Sequence, residues 1–142
     1  MNWAYLLNEF HGRIGRQTFW IAFGAVYIAN ILACLAAEQI QGDRLSAIVD
    51  LAFTYPEFAV AVKRAHDRDL PIWLLIIFFG ANALLDFLSV LGWTIGAGEP
   101  SWPALAILTP FAVLGLALLV ELGFRRGTVG PNQYGPDPLA KH

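Results

Sequence analysis

Residues 63–73 read Lys-Arg-Ala-His-Asp-Arg-Asp-Leu-Pro-Ile-Trp, the densest run of charge in a chain that is otherwise dominated by apolar side chains. A histidine beside a carboxylate is a chemistry-bearing pair, because imidazole titrates near neutral pH and a carboxylate can orient it. His66 and Asp67 form such a pair, and Arg64 and Arg68 flank them with donors suited to phosphate or carboxylate. Three uses are open to the stretch: organisation of the local structure, contact with a ligand, and acid–base catalysis. A hydrolytic metal centre needs three or more protein ligands, and His11 and His142 have no helical spacing to His66. Cys34 is the single cysteine, so one chain can build neither a disulfide nor a thiolate site. No metal or cofactor is expected.

A second set of polar residues is interspersed in apolar runs: Asp50, Glu57, Asn82, Asp86 and Glu121. An acid in hydrocarbon costs about 2.5 to 3.5 kcal/mol on insertion scales, so these side chains should face the protein interior or lie near an interface. A proton or cation path is one reading. In the other, Glu121 pairs with Arg125, Glu57 lies near one membrane boundary, and Asp50 and Asp86 approach the opposite one. Asn82 and Asp86 stand one helical turn apart and should share a face directed at protein.

The elements that position these residues follow from composition. Of the 142 residues 57% are hydrophobic and only 14% charged, against about 25% charged in a soluble domain, which makes lipid the main solvent. A net charge of −2 and the lack of a basic stripe with interleaved aromatics give no reason to expect nucleic acid as a partner. Trp3, Leu6, Leu7 and Phe10 recur at helical spacing and fit a short interfacial helix, followed by a turn at His11 to Arg16. Apolar spans are expected at residues 18–37, 45–62, 71–95 and 102–124. Residues 38–44 read as a polar loop, Pro56 as a kink or break that frees a carbonyl near Ala52, and Pro71 as the start of the third span. Trp93 and Trp102 read as interface anchors. Residues 125–142, rich in glycine and proline, form either an ordered turn or a loose end. Arginines before the first apolar run, with Ile31-Leu32-Ala33-Cys34 inside it, loosely resemble a lipoprotein signal; bulky Leu32 and the further spans favour an uncleaved helix.

The expected fold is therefore an all-α integral membrane protein with four transmembrane helices and a short N-terminal interfacial helix, one membrane domain over residues 1–142. In a four-span arrangement Arg13, Arg16, Lys63, Arg64, Arg68, Arg125, Arg126 and Lys141 fall on one side and Arg44 alone on the other. By the positive-inside rule both termini and residues 63–73 are cytoplasmic. Residues 63–73, the Arg13/Arg16 turn and the terminal segment then meet at one end of the bundle. Asp67 is expected to accept hydrogen bonds from Arg13 or Arg16, with His66, Asn132 and Tyr134 in the same cluster.

Three segments of the chain resemble one family. Phe10 to Trp20, FHGRIGRQTFW, is similar to the Gly-Arg-x-x-Arg-x-x-Phe/Tyr-Trp opening of the bacterial domain-of-unknown-function family 805 (DUF805), the YhaH-like inner-membrane proteins. Lys63 to Arg68 resembles that family's Arg-Arg-Leu-His-Asp segment, with Trp73 matching its following tryptophan, and Gly130 to Gly135 with Pro138 resembles its closing Gly-x-Asn-x-Tyr-Gly-x-x-Pro. Lys63 departs from the usual first arginine, and Leu70-Pro71 stands where small polar residues are common. The resemblance implies a four-helix fold in the bacterial inner membrane and no known activity.

The function favoured by the sequence is a small inner-membrane protein whose cytoplasmic-face cluster of Arg13, Arg16, Arg64, His66, Asp67, Arg68, Asn132 and Tyr134 binds an anionic lipid headgroup or a partner protein. The alternatives are a small transporter or ion-conducting oligomer that uses the intramembrane acids, and a membrane enzyme acting on a phosphorylated lipid. Membrane lipids, a second copy of the chain or another membrane protein are the expected partners. No Walker loop, nucleophile elbow or zinc-protease motif is present.

Overall fold

The computed structural model of the chain describes residues 1–92 and 102–140, with the backbone alone at 102–104 and 107. The described residues are helical apart from turns and one isolated bridge. Helix α1 is Trp3–Asn8, α2 Arg16–Gln41, α3 Asp43–Asp67, α4 Trp73–Val90 and α5 Trp102–Gly123. Three of them, α2, α3 and α4, are long and apolar enough to cross a membrane, with mean hydropathies of 2.0, 1.5 and 2.0, and Leu108–Gly123 of α5 forms a further apolar helical stretch. At about 1.5 Å per residue, the 26 residues of α2 reach about 39 Å, more than the hydrocarbon thickness of about 30 Å.

Helix α1 is short because its cap and its stop are both local. Asn2 accepts from the Tyr5 N–H at 3.2 Å, and Glu9 is already extended. Between α2 and α3 the expected polar loop shrinks to one residue. Gly42, at φ +71°, closes α2 by donating to the Glu38 carbonyl at 2.9 Å and opens α3 directly. That left-handed conformation carries no Cβ penalty in glycine, which lets two long helices form a hairpin with no spacer.

The second span also differs from expectation at its other features. Pro56 does not break α3, which runs unbroken from Asp43 to Asp67. The helix extends five residues beyond the expected end, so Lys63 to Asp67 are its last turn rather than a loop, and only Arg68 to Ile72 connect to α4. The turn is closed by Leu70 N–H on the Ala65 carbonyl at 2.9 Å and by Asp69 at φ +54°. Pro71 precedes α4 instead of starting it; the helix begins at Trp73 and ends at Val90. Trp93, the Trp102 side chain and Lys141 lie outside the described residues.

Helix α3 is the centre of the fold: it packs against α1, α2, α4 and α5. Its segment Ala59 to Ala65 is buried on every face, and small residues there let neighbouring backbones approach. Leu6, Ile14, Phe19, Ala22, Leu75 and Leu122 complete the core around it. The large apolar side chains elsewhere on α2, α4 and α5, among them Ile28, Leu32, Ile77, Leu84 and Leu116, point outward, as lipid-facing surfaces should. The core therefore sits at one end of the helices, where α1, the last turns of α3 and α5, and the tail meet.

Candidate functional site

At that end the last turn of α3 presents Lys63, Arg64 and Asp67, and sequence segments separated by half the chain meet on them. Arg64 is fully buried. Its Nε and Nη2 donate to the Leu122 and Arg125 carbonyls, each at 2.6 Å, and Nη1 reaches the Ile14 carbonyl at 3.3 Å and Asp67 Oδ2. Leu122 lies in the last turn of α5 and Arg125 two residues past its end; unpaired carbonyls there carry the negative end of the helix dipole, so a guanidinium is held by charge as well as by hydrogen bonds. Lys63, also fully buried, does the same for α1. Its Nζ donates to the Tyr5 carbonyl at 3.1 Å and to Glu9 O, and lies 5.2 Å from the Tyr5 ring centroid. Lys63 is thus a point donor that meets main-chain oxygens, a task with no need for a planar fork.

Asp67 receives Arg13 on its other oxygen. Arg13 Nε and Nη2 approach Oδ1 at 3.1 and 3.0 Å, and both side chains are almost wholly buried. The rest of the Arg13 fork holds the tail: Nη1 donates to the Gly130 and Gly135 carbonyls at 2.8 and 3.2 Å, and Nη2 to Thr128 O at 2.7 Å and Oγ1 at 3.0 Å. Two buried guanidinium groups thus share one buried carboxylate, and main-chain carbonyls offset the excess positive charge.

The tail is ordered because it continues this network. Thr128 N–H donates to the Asp67 carbonyl at 2.7 Å, and Asn132 Nδ2 to the His66 carbonyl at 2.9 Å. Asn132 and Gly135 exchange backbone hydrogen bonds at 3.1 Å, and Asn132 Oδ1 accepts from the Tyr134 N–H at 2.9 Å. This turn sets the Tyr134 ring flat against His66, centroids 3.8 Å apart. His66 Nδ1 lies 3.2 Å from the Gly12 carbonyl. Asp137 locks the turn by accepting from Gly130 and Leu139 N–H at 3.0 and 2.9 Å, and these backbone donors, Leu139 first, hold its carboxyl below the usual aspartate value.

Of the residues singled out from the sequence, Arg13, Arg64, His66, Asp67, Asn132 and Tyr134 come together. Arg16 does not join them; it donates to the Phe124 carbonyl at 3.2 Å. Arg68 turns to Glu121 and the Arg126 carbonyl, while Glu121 also takes Arg125 at 2.7 Å. Sequence reasoning missed Thr128, Lys63 as a tie to α1, and Gly127, where any Cβ would overlap the Asp67 carboxylate. Among the described residues no group of three His, Cys, Asp or Glu side chains could hold a metal ion.

Four of the polar residues set in apolar runs form a separate region. A cavity of about 700 Å³ runs between α2, α3, α4 and α5. Asp50, Glu57, Asn82 and Asp86 all line it, together with Asn30, which sequence reasoning passed over. Asn30 is buried and bridges the two acids of α3, its Nδ2 lying 2.7 Å from Asp50 Oδ1 and 3.3 Å from Glu57 Oε1, while its Oδ1 accepts from Cys34 Sγ at 3.0 Å. Glu57 precedes Asp67 by ten residues of helix, about 15 Å. Asn82 Nδ2 donates back to the Phe78 carbonyl at 2.9 Å. Every ion pair of the described residues lies at the junction end, none in the cavity.

The chain is similar over nearly its whole length to proteins of Escherichia coli K12 named as uncharacterized or as inner membrane proteins.

 The protein YiiR, described as uncharacterized, is 32% identical over 139 residues, which cover 92% of this chain and 86% of YiiR. The inner membrane protein YhaI is 29% identical over 133 residues, covering 91% and 85% of the two chains, and the inner membrane protein YhaH is 23% identical over 135 residues, covering 91% and 86%. No solved structure matches the chain significantly. The model of the family described as "Protein of unknown function (DUF805)" matches residues 7–136, from the end of α1 through the tail turn that closes on Arg13, and the chain belongs to that family.

Proposed function

We propose that this chain is an inner-membrane protein that binds a small amphiphilic molecule in the cavity between α2, α3, α4 and α5, as the binding step of a small transporter. The observation that carries this reading is the cavity. Its volume of about 700 Å³ falls within the range of about 300 to 1,000 Å³ typical of ligand pockets. It is lined by aromatic side chains, with polar groups contributed by α2, α3 and α4. Membrane helices otherwise close on one another through small residues, yet a Cβ at Gly24 on the cavity wall would meet nothing within 4 Å.

The buried junction acts in this reading as the scaffold that holds one end of the cavity shut. Every nitrogen of the Arg13 and Arg64 forks already has a partner within the chain. Contact with anionic headgroups therefore falls to the exposed Arg16, Arg125 and Arg126 at the rim, each contributing on the order of 1 kcal/mol near a charged surface. The eight-to-one distribution of Lys and Arg supports a cytoplasmic location for the junction and both termini. Catalysis by His66 finds less support, since one face of its ring is covered by Tyr134 and Nδ1 faces a carbonyl.

Native mass spectrometry of the protein released from lipid nanodiscs tests the proposal. Wild-type protein should carry a small non-covalent adduct that Gly24→Phe, which fills the open space, loses while its melting temperature stays level or rises. Bare protein in both cases, with the fold intact, would overturn it.

A further inference from the structure

Resting on the reading that the cavity holds a small amphiphile, we infer that the occupant carries a cationic head with N–H donors, a primary ammonium or a guanidinium, directed at the wall formed by Asn30, Asp50 and Glu57. The polarity of the cavity is segregated along its length. Its junction end is walled by Phe19, Trp20, Leu75 and Leu122, side chains that offer hydrocarbon and aromatic faces. Beyond Glu57, toward the Gly42 hairpin, the lining changes to Asn30, Cys34, Ser46, Asp50, Asn82 and Asp86. An occupant that matches both parts has an apolar body toward the junction and a polar head toward the hairpin.

The chemistry of that head follows from which groups remain available. Asn30 is committed on both sides of its amide, to Asp50 and Glu57 as donor and to Cys34 as acceptor. It thereby fixes two carboxyl groups on one wall without using all of their acceptor positions, because a carboxylate offers about four. No lysine or arginine among the described residues pairs with Asp50, Glu57 or Asp86. An anionic head would meet like charge in a space walled by low-dielectric side chains, and a head without donors would leave the acceptors unmatched. An N–H-bearing cation answers both conditions, and the aromatic wall accommodates its body.

Cys34, the single cysteine, lines the cavity and reports on its occupancy without an engineered label. The experiment measures the rate at which N-ethylmaleimide modifies Cys34 in nanodiscs, with 2-(1-naphthyl)ethylamine or its neutral counterpart 2-(1-naphthyl)ethanol at matched concentrations in the bilayer. Leu32→Cys in a Cys34→Ser background, a position 63% exposed on the lipid side of α2, corrects for effects on the reagent in the membrane. The amine should slow modification of Cys34 at least fivefold and the alcohol should have less than half that effect. Asp50→Asn with Glu57→Gln should abolish the amine's advantage; Glu57→Gln alone should reduce it, and serves if the double variant does not fold. Equal protection by amine and alcohol would overturn the cationic head while sustaining occupancy of the cavity. An amine advantage that survives the substitutions would overturn the assignment to this wall, and protection by neither compound would overturn both readings.

Discussion

Removing the carboxylate of Asp67 should be among the most damaging single changes in the chain. Asp67→Ala deletes hydrogen bonds from Arg13 Nε, Arg13 Nη2 and Arg64 Nη1 at one stroke. It leaves two buried guanidinium groups with no anion between them, and Nε of Arg13 loses its acceptor. Breaking a buried ion pair by removing one partner costs about 3 to 5 kcal/mol, roughly a factor of a hundred to several thousand in the folding equilibrium. Arg13→Ala should cost less, on the order of 2 to 3 kcal/mol, because Asp67 keeps Arg64. Combined, Asp67→Ala and Arg13→Ala should fall short of the sum of the single effects by at least about 1 kcal/mol, since the second substitution removes a charge the first has orphaned. Arg16→Ala combined with Asp67→Ala should instead add within about 0.5 kcal/mol, because Arg16 serves the Phe124 carbonyl and not Asp67. Reversible unfolding in bicelles, followed by tryptophan fluorescence, supplies the free energies. An effect of Asp67→Ala below about 1 kcal/mol, or strict additivity with Arg13→Ala, would refute the buried junction.

Gly127→Ala should destabilise the protein by about 1 to 3 kcal/mol, since the new methyl group overlaps the Asp67 carboxylate, and a Gly127→Ala protein as stable as wild type would count against that packing. Arg125→Ala, by contrast, removes a pair that is mostly exposed on the arginine side and should leave stability in the same unfolding assay close to that of wild type. Acidification should loosen the tail turn: the folded-state value for Asp137 lies below its ordinary one, so its contribution is present above the ordinary aspartate range and is lost as pH falls through the depressed folded value. The Gly130 and Leu139 amide resonances should titrate together in that acid range and stop doing so in Asp137→Asn. For orientation, in a Cys34→Ser background, a membrane-impermeant maleimide added to intact cells should reach Gly42→Cys but not Asp69→Cys; labelling of Asp69→Cys would reverse the assigned topology.

Much of the architecture was legible because lipid imposes length and hydropathy on helices. The short α1, the apolar runs and the meeting of three sequence motifs at one end all follow from residue type and spacing. Boundaries were harder to read for a specific reason. Lys63, Arg64 and Asp67 look like a solvated loop, because charge in sequence normally marks exposure, but their charges are met by helix-terminal carbonyls that only the tertiary fold brings within reach. The same blindness hid Thr128, an unremarkable residue until Arg13 and the Asp67 backbone converge on it. Pro56 misled in the opposite direction, since α3 continues through a residue that propensity alone would make a break, with other helices packed around it. Asn30 gave no signal because a lone amide in an apolar run gains meaning only when Asp50 and Glu57 are placed across from it.

Electron cryomicroscopy of the wild-type protein in nanodiscs of its own membrane lipids, bound to a rigid fiducial partner at an exposed surface, tests the binding cavity most directly. Non-protein density should lie between α2 and α3, its polar end within hydrogen-bond distance of Asp50 or Glu57 and its body against Phe19 and Trp20. A map in which α5 has closed onto α2 and α3, with protein side chains filling the space and no such density, would contradict it.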